Sequence, residues 1–97
     1  MPVYMIVDLR YDSLEWASAY RSAVPAMVEK WGGRYIAQSF PPERLEGEGE
    51  LPDSLTILEY PSAEAARGML NSPEYAPFAK ARRAQTHGAI YLVEGRV

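Results

Sequence analysis

Apolar residues fall into short runs and stripes along the chain, and their spacing sets the elements. Val3 to Leu9 (VYMIVDL) is a nearly continuous apolar run rich in β-branched and aromatic residues, which predicts a buried strand. Asp12 and Ser13 offer two helix N-caps, with Glu15 in capping-box spacing from Asp12. Trp16, Tyr20, Ala23, Val24, Met27, Val28 and Trp31 then recur every three or four residues, one stripe of a helix running from about Ser13 to Trp31. Pro25 should kink that helix, and Gly32-Gly33 should stop it.

Arg34 to Phe40 (RYIAQSF) predicts a second strand, and Leu55 to Tyr60 (LTILEY) a third. The Pro/Gly-rich stretch from Pro41 to Ser54 is a long connection between them. Ser62 is placed to cap a further helix carrying Ala65, Ala66, Met69 and Leu70 inward. Asn71-Ser72-Pro73 interrupts it, and Ser72 with Pro73 can start a fresh one. Ala89 to Val93 (AIYLV) is the last strand.

The order strand, helix, strand, strand, helix, strand is the split βαβ pattern (βαββαβ) of a ferredoxin-like α+β domain. It predicts one domain over residues 1–97, a four-stranded sheet with two helices on one face. Two helices cover one face only. The first, third and fourth strands nevertheless read as apolar on both sides. The helix-free face should therefore be covered by a second copy, giving a homodimer.

Several segments carry a family resemblance: VYMIVDL, AYRSAVPAMVEKWGGRY, RLEG, ILEYPS, EAARGMLNSPEYAPFAKARR and AIYLVEG. In this order they resemble the domain of unknown function 1330 family, a branch of the dimeric α/β-barrel superfamily. The resemblance implies a ferredoxin-like protomer, and two sheets facing each other as a dimeric α/β barrel. It implies no activity. Wider relatives include cofactor-independent monooxygenases and isomerases that use the barrel interior as a pocket.

Composition narrows the partners. The net charge of -3 argues against nucleic acid. The one basic cluster, Lys80, Arg82 and Arg83, suits the end of a helix, where the dipole favours cations. The absence of cysteine fits a reducing cytosol. No apolar run reaches the length of a membrane span. The opening lacks a basic segment followed by an apolar one. The expectation is a cytoplasmic protein with no membrane partner. A single histidine without cysteine makes no conventional zinc site, so neither metal nor organic cofactor is expected.

Candidate chemistry comes from position, because no phosphate loop, metal-binding helix motif or nucleophile elbow is present. We expect the first and third strands to be central and parallel, with Met5, Val7 and Leu9 toward the helices and Asp8 and Glu59 on the opposite face. That pairing gathers Asp8 and Glu59 at one sheet end, and the fourth strand's entry adds His87. The candidate catalytic residues are therefore His87 as base, Asp8 holding its ring, and Glu59. Tyr4, Arg34 and Tyr35 are candidate ligand-binding residues. In a structural alternative, Asp8 and Glu59 pair with Arg10 and Arg34. Three functions stay open: a cofactor-independent acid–base enzyme acting on a small metabolite, a non-catalytic ligand-binding dimer, and a structural dimer with a filled interior.

Overall fold

The computed structural model describes residues 2–96. Seven elements follow in chain order: β1 (Val3–Tyr11), α1 (Ala17–Lys30), β2 (Arg34–Ser39), β3 (Ser54–Tyr60), α2 (Ala63–Leu70), α3 (Ala76–Ala84) and β4 (Thr86–Glu94). The strands form one sheet in the order β2-β3-β1-β4. This is the ferredoxin-like arrangement, with the second helical segment broken into α2 and α3.

All three strand pairings are antiparallel. The expected parallel pairing of β1 and β3 is therefore corrected. The α1 crossover brings β2 back in the direction of β1. β3 follows β2 through a loop, residues 40–53, and so runs the other way between them. In this register Asp8 lies opposite Leu55, and Glu59 lies opposite Tyr4. Four residues of extended chain, about 13 Å, separate the two carboxylate positions along the sheet.

Side-chain parity is as expected. Val3, Met5, Leu9, Leu58 and Tyr60 are buried toward the helices. They form a core with Val24, Met27 and Val28 of α1, Ala66 and Met69 of α2, and Ala79 of α3. Tyr4, Ile6 and Asp8 of β1, with Leu55, Ile57 and Glu59 of β3, alternate with them on the helix-free face and are half-buried.

Helix α1 begins later than its apparent caps suggest. Ser13 Oγ accepts from the Glu15 amide at 3.2 Å, which closes a tight turn instead of capping a helix. The Trp16 indole donates to the Ser13 carbonyl at 2.8 Å, and helical geometry starts at Ala17. The expected stop holds, with Gly32 at φ 81° just past the helix. Ser62 caps α2 by accepting from the Ala65 amide at 3.1 Å. Ser72 joins α2 to α3, donating to the Met69 carbonyl at 2.9 Å and accepting from the Tyr75 amide at 3.3 Å.

Gly68 of α2 lies against Trp31, just past the end of α1: a Cβ there would overlap the Trp31 ring, which packs against the core. In a helix, Ala is normally favoured over Gly by about 0.5–1 kcal/mol. Here overpacking, typically about 1–3 kcal/mol, should win. We expect Gly68→Ala to lower stability in urea denaturation, and Trp31→Leu in the same chain to recover most of the loss. A more stable Gly68→Ala protein would contradict this packing.

Candidate ligand-binding site

The helix face of the sheet is incompletely filled. α1 rests over the sheet centre, while all six residues of the edge strand β2 stay exposed. Position matters on β3 as well. Its inward residues include Ser54, Thr56 and Tyr60, which bring hydroxyls where a closed core would bring hydrocarbon. Between sheet and helices lies a cavity of about 620 Å³. That volume lies within the usual range for small-molecule sites. Met5, Leu9 and Leu58 line its floor, α1 supplies Tyr20, Val24 and Pro25, and Tyr35, Gln38 and Phe40 stand at the β2 edge.

Aromatic rings organise one wall. Tyr11, Trp16, Tyr20 and Tyr75 meet edge to face in sequence, with centroids 5.8, 5.3 and 6.0 Å apart. The hydroxyls of Tyr20 and Tyr75 are hydrogen-bonded at 2.5 Å. Two hydroxyls carry two hydrogens, and their mutual bond uses one, so the pair retains one O–H to donate elsewhere. Tyr60 is fully buried, and its hydroxyl meets no hydrogen-bond partner among the described residues.

Burial favours the protonated form of the Tyr20, Tyr60 and Tyr35 hydroxyls. Burial, then the neighbouring Tyr75, pushes the Tyr20 hydroxyl far above its ordinary range, against a smaller opposing pull from the Arg82 cation. Burial raises Tyr60 and Tyr35 in the same direction. No Asp, Glu or His lines the cavity among the described residues. The arrangement offers hydrogen-bond donors on a largely apolar, aromatic wall, and among the described residues it offers no carboxylate or imidazole as a base.

The residues expected to form one cluster are dispersed. His87 Nε2 lies 2.8 Å from Asp12 Oδ2, and both side chains are more than half exposed. Its expected partner Asp8 lies opposite Ala89, two positions further along β4, while His87 lies opposite Arg10. Asp8 stands on the helix-free face with Oδ1 buried and unpartnered. Glu59, at the other end of the sheet, accepts from Arg34 Nε at 2.9 Å. That hydrogen bond, with a further one from Tyr4, holds the Glu59 carboxyl below its usual range. The Arg34–Glu59 pair matches the structural alternative, but Arg10 pairs with Glu50 at 3.1 Å and not with Asp8. Of the six candidates, Tyr35 alone lines the cavity. The cavity thus lies on the helix side of the sheet and not on the face expected to meet a second copy. Among the described residues no three His, Asp or Glu side chains come together as metal ligands. No helix of the described residues is long and apolar enough to cross a membrane.

Sequence reading assigned Trp16 and Tyr20 to a core stripe and missed Tyr60 and Tyr75. The available signal was hydroxyl-bearing residues at inward positions of β3 and in the helix stripe, where hydrocarbon is the norm.

The family model for a domain of unknown function, DUF1330, matches residues 2–96. The chain belongs to the DUF1330 family. Solved structures share the fold of this family member. A protein of unknown function from Rhodopseudomonas palustris is 24% identical, with a TM-score of 0.84 over 99% of this chain and 83% of that one. SnoaB, a cofactor-independent oxygenase from Streptomyces nogalater, is 19% identical, with a TM-score of 0.68 over 99% and 94%. A dimeric ferredoxin-like protein of unknown function from Jannaschia sp. CCS1 is 14% identical, with a TM-score of 0.61 over 100% of both chains. No curated protein matches this DUF1330 chain.

A phenol raised in the folded state binds its proton more tightly there than in the unfolded chain. The stability it contributes is full below the ordinary phenol value and is lost as pH rises through the folded one. Ultraviolet titration of the folded DUF1330 protein should therefore show Tyr20 and Tyr60 silent near pH ~10, where exposed phenols ionise. They should ionise together with alkaline unfolding. Seven tyrosines titrating as one ordinary group in the folded protein would contradict the burial of the Tyr20 and Tyr60 hydroxyls.

Proposed function

We propose that this chain is a homodimeric small-molecule-binding domain whose cavity takes a flat, largely apolar molecule bearing hydrogen-bond-accepting oxygen. The observation that carries this reading is the cavity of about 620 Å³ whose wall includes Tyr60, with its buried hydroxyl unpartnered. Buried polar groups are nearly always satisfied, so an unmet hydroxyl on a cavity wall marks a place for another molecule's polar atom. The free O–H of the Tyr20–Tyr75 pair is a second such place.

The dimer reading rests on the other face of the sheet. Tyr91 and Val93 of β4 are 57% and 48% exposed there, beside Ile6 and Ile57. The Asp8 Oδ1 atom sits unmet among them, where a partner's donor would satisfy it. The Jannaschia protein of the same fold is described as dimeric. Burying this face in a partner would cover roughly 1,200 Å² or more in total, and each copy would keep its own cavity on the far side. Asp8, Glu59 and His87 then belong to the dimer face and its margins.

The likeness to SnoaB favours a second reading, in which the bound molecule is also turned over without a cofactor. The tyrosine pair suits it, because a preorganised O–H stabilises negative charge developing on a ligand oxygen. With no carboxylate or imidazole on the cavity wall, the ligand would have to be acidic enough to pass its proton to solvent water.

Native mass spectrometry of the protein after incubation with a bacterial metabolite extract tests the main reading. A dimer retaining a small molecule is expected. Replacing both Tyr20 and Tyr75 by Phe should weaken retention by about 5- to 30-fold, the value of one or two hydrogen bonds, with the dimer intact. Undiminished retention in that variant would move the site elsewhere. A stable monomer at micromolar concentration would remove the dimer.

A further inference from the structure

We propose that the molecule taken up by the cavity is a carboxylic acid, and that Arg82 is the residue that recognises its carboxylate. The inference rests on the small-molecule reading above and names the ligand class. Arg82 lies in the last turn of α3 and is only 5% exposed. Its Nε is buried with no hydrogen-bond partner among the described residues. The ion pairs of the described residues are Arg10–Glu50, Lys30–Glu74, Arg34–Glu59 and His87–Asp12, and none involves Arg82. A buried, unpaired charge is among the costliest groups a fold can hold. A guanidinium cannot escape that cost by losing its proton. The carbonyl end of α3 offsets part of the charge through the helix dipole, but it leaves donors unfilled.

There is room beside it. A second cavity of about 400 Å³ is bordered by Arg82, Arg83 and Thr86. Its apolar walls, Leu9, Leu70 and Ile90, also line the main cavity. The two spaces are therefore neighbours across shared side chains, and Arg82 borders the second of them. The Arg82 charge is also felt at the Tyr20 hydroxyl, which places it within electrostatic reach of the tyrosine pair. No acidic side chain lines either space among the described residues, and Arg21 adds a further cation at the main cavity. A ligand whose apolar body lies against the aromatic wall and whose acidic group enters the second space would meet Arg82, where a carboxylate matches the planar fork of a guanidinium.

The test uses aryl carboxylates of graded length (benzoate, phenylpropanoate, naphthoate) and their neutral carboxamides. Each is titrated against the whole protein and followed by the fluorescence of Trp16, which lines the main cavity. Acids should bind about tenfold or more tightly than the matched amides, the usual worth of a charge-assisted hydrogen bond. In Arg82→Gln the acid affinity should fall to that of the amide, and Arg82→Lys should restore part of the difference. The melting temperature of ligand-free Arg82→Met should be no lower than that of the unaltered protein, because that change removes an unpaired buried cation without removing volume. Equal affinity for acids and amides, or a preference that survives Arg82→Gln, would overturn the inference and leave the cavity reading standing. A sharply lower melting temperature in Arg82→Met would make the guanidinium a structural group and also overturn it. Failure of every acid and amide to bind would remove the cavity reading itself.

Discussion

Val24 and Val28 of α1 share one buried core with Met5 of β1 and Leu58 of β3, and burial of these four side chains holds α1 over the sheet. The helix is thereby committed to the central strands. β2 receives no cover, and the space between α1 and the sheet edge stays open. A longer apolar residue at Thr56 or Ser54 would begin to close that space, but β3 places hydroxyls there. The cavity follows from one choice of contact by the helix and one choice of residue type on the strand.

The two faces of the sheet consequently carry different chemistry. The helix face holds buried phenols, aromatic rings and a buried cation, where burial strengthens hydrogen bonds and charge interactions. The opposite face holds the titrating groups, paired at its ends: His87 with Asp12 and Arg34 with Glu59. Between the pairs lies an apolar field containing Asp8. Exposed pairs of this kind contribute little stability, and their value lies more in orienting one surface against another.

Much of the fold was legible in the chain. Period-two alternation put Met5 and Leu9 on the helix side and Asp8 and Glu59 opposite, and the structure agrees. Ser62 and the Asn71-Ser72-Pro73 break were readable because each depends on local chemistry. Strand direction was not local. The sense of β3 follows from the whole chain path, a helical crossover before β2 and a loop before β3, and the expected parallel pairing with β1 brought Asp8 and Glu59 together where the register holds them apart. Capping was also ambiguous, because Ser13 bonds an amide two residues on, as turns do. The cavity was the least legible feature. Trp16 and Tyr20 fit a core stripe by spacing, and only packing shows that the stripe borders empty space. Arg82 looked like a solvated helix-end cation, and its 5% exposure depends on how α3 settles over β4.

Placing the ligand on the helix side of the sheet is the claim on which the functional account stands. Backbone amide shifts of the isotopically labelled protein, recorded while a retained molecule is titrated in, test it most directly. The account predicts that the shifts concentrate in α1 from Tyr20 to Val28, in Tyr35 to Phe40 of the β2 edge, and around Tyr75. Shifts confined to Asp8, His87, Tyr91 and their neighbours would place the ligand on the opposite face and contradict it.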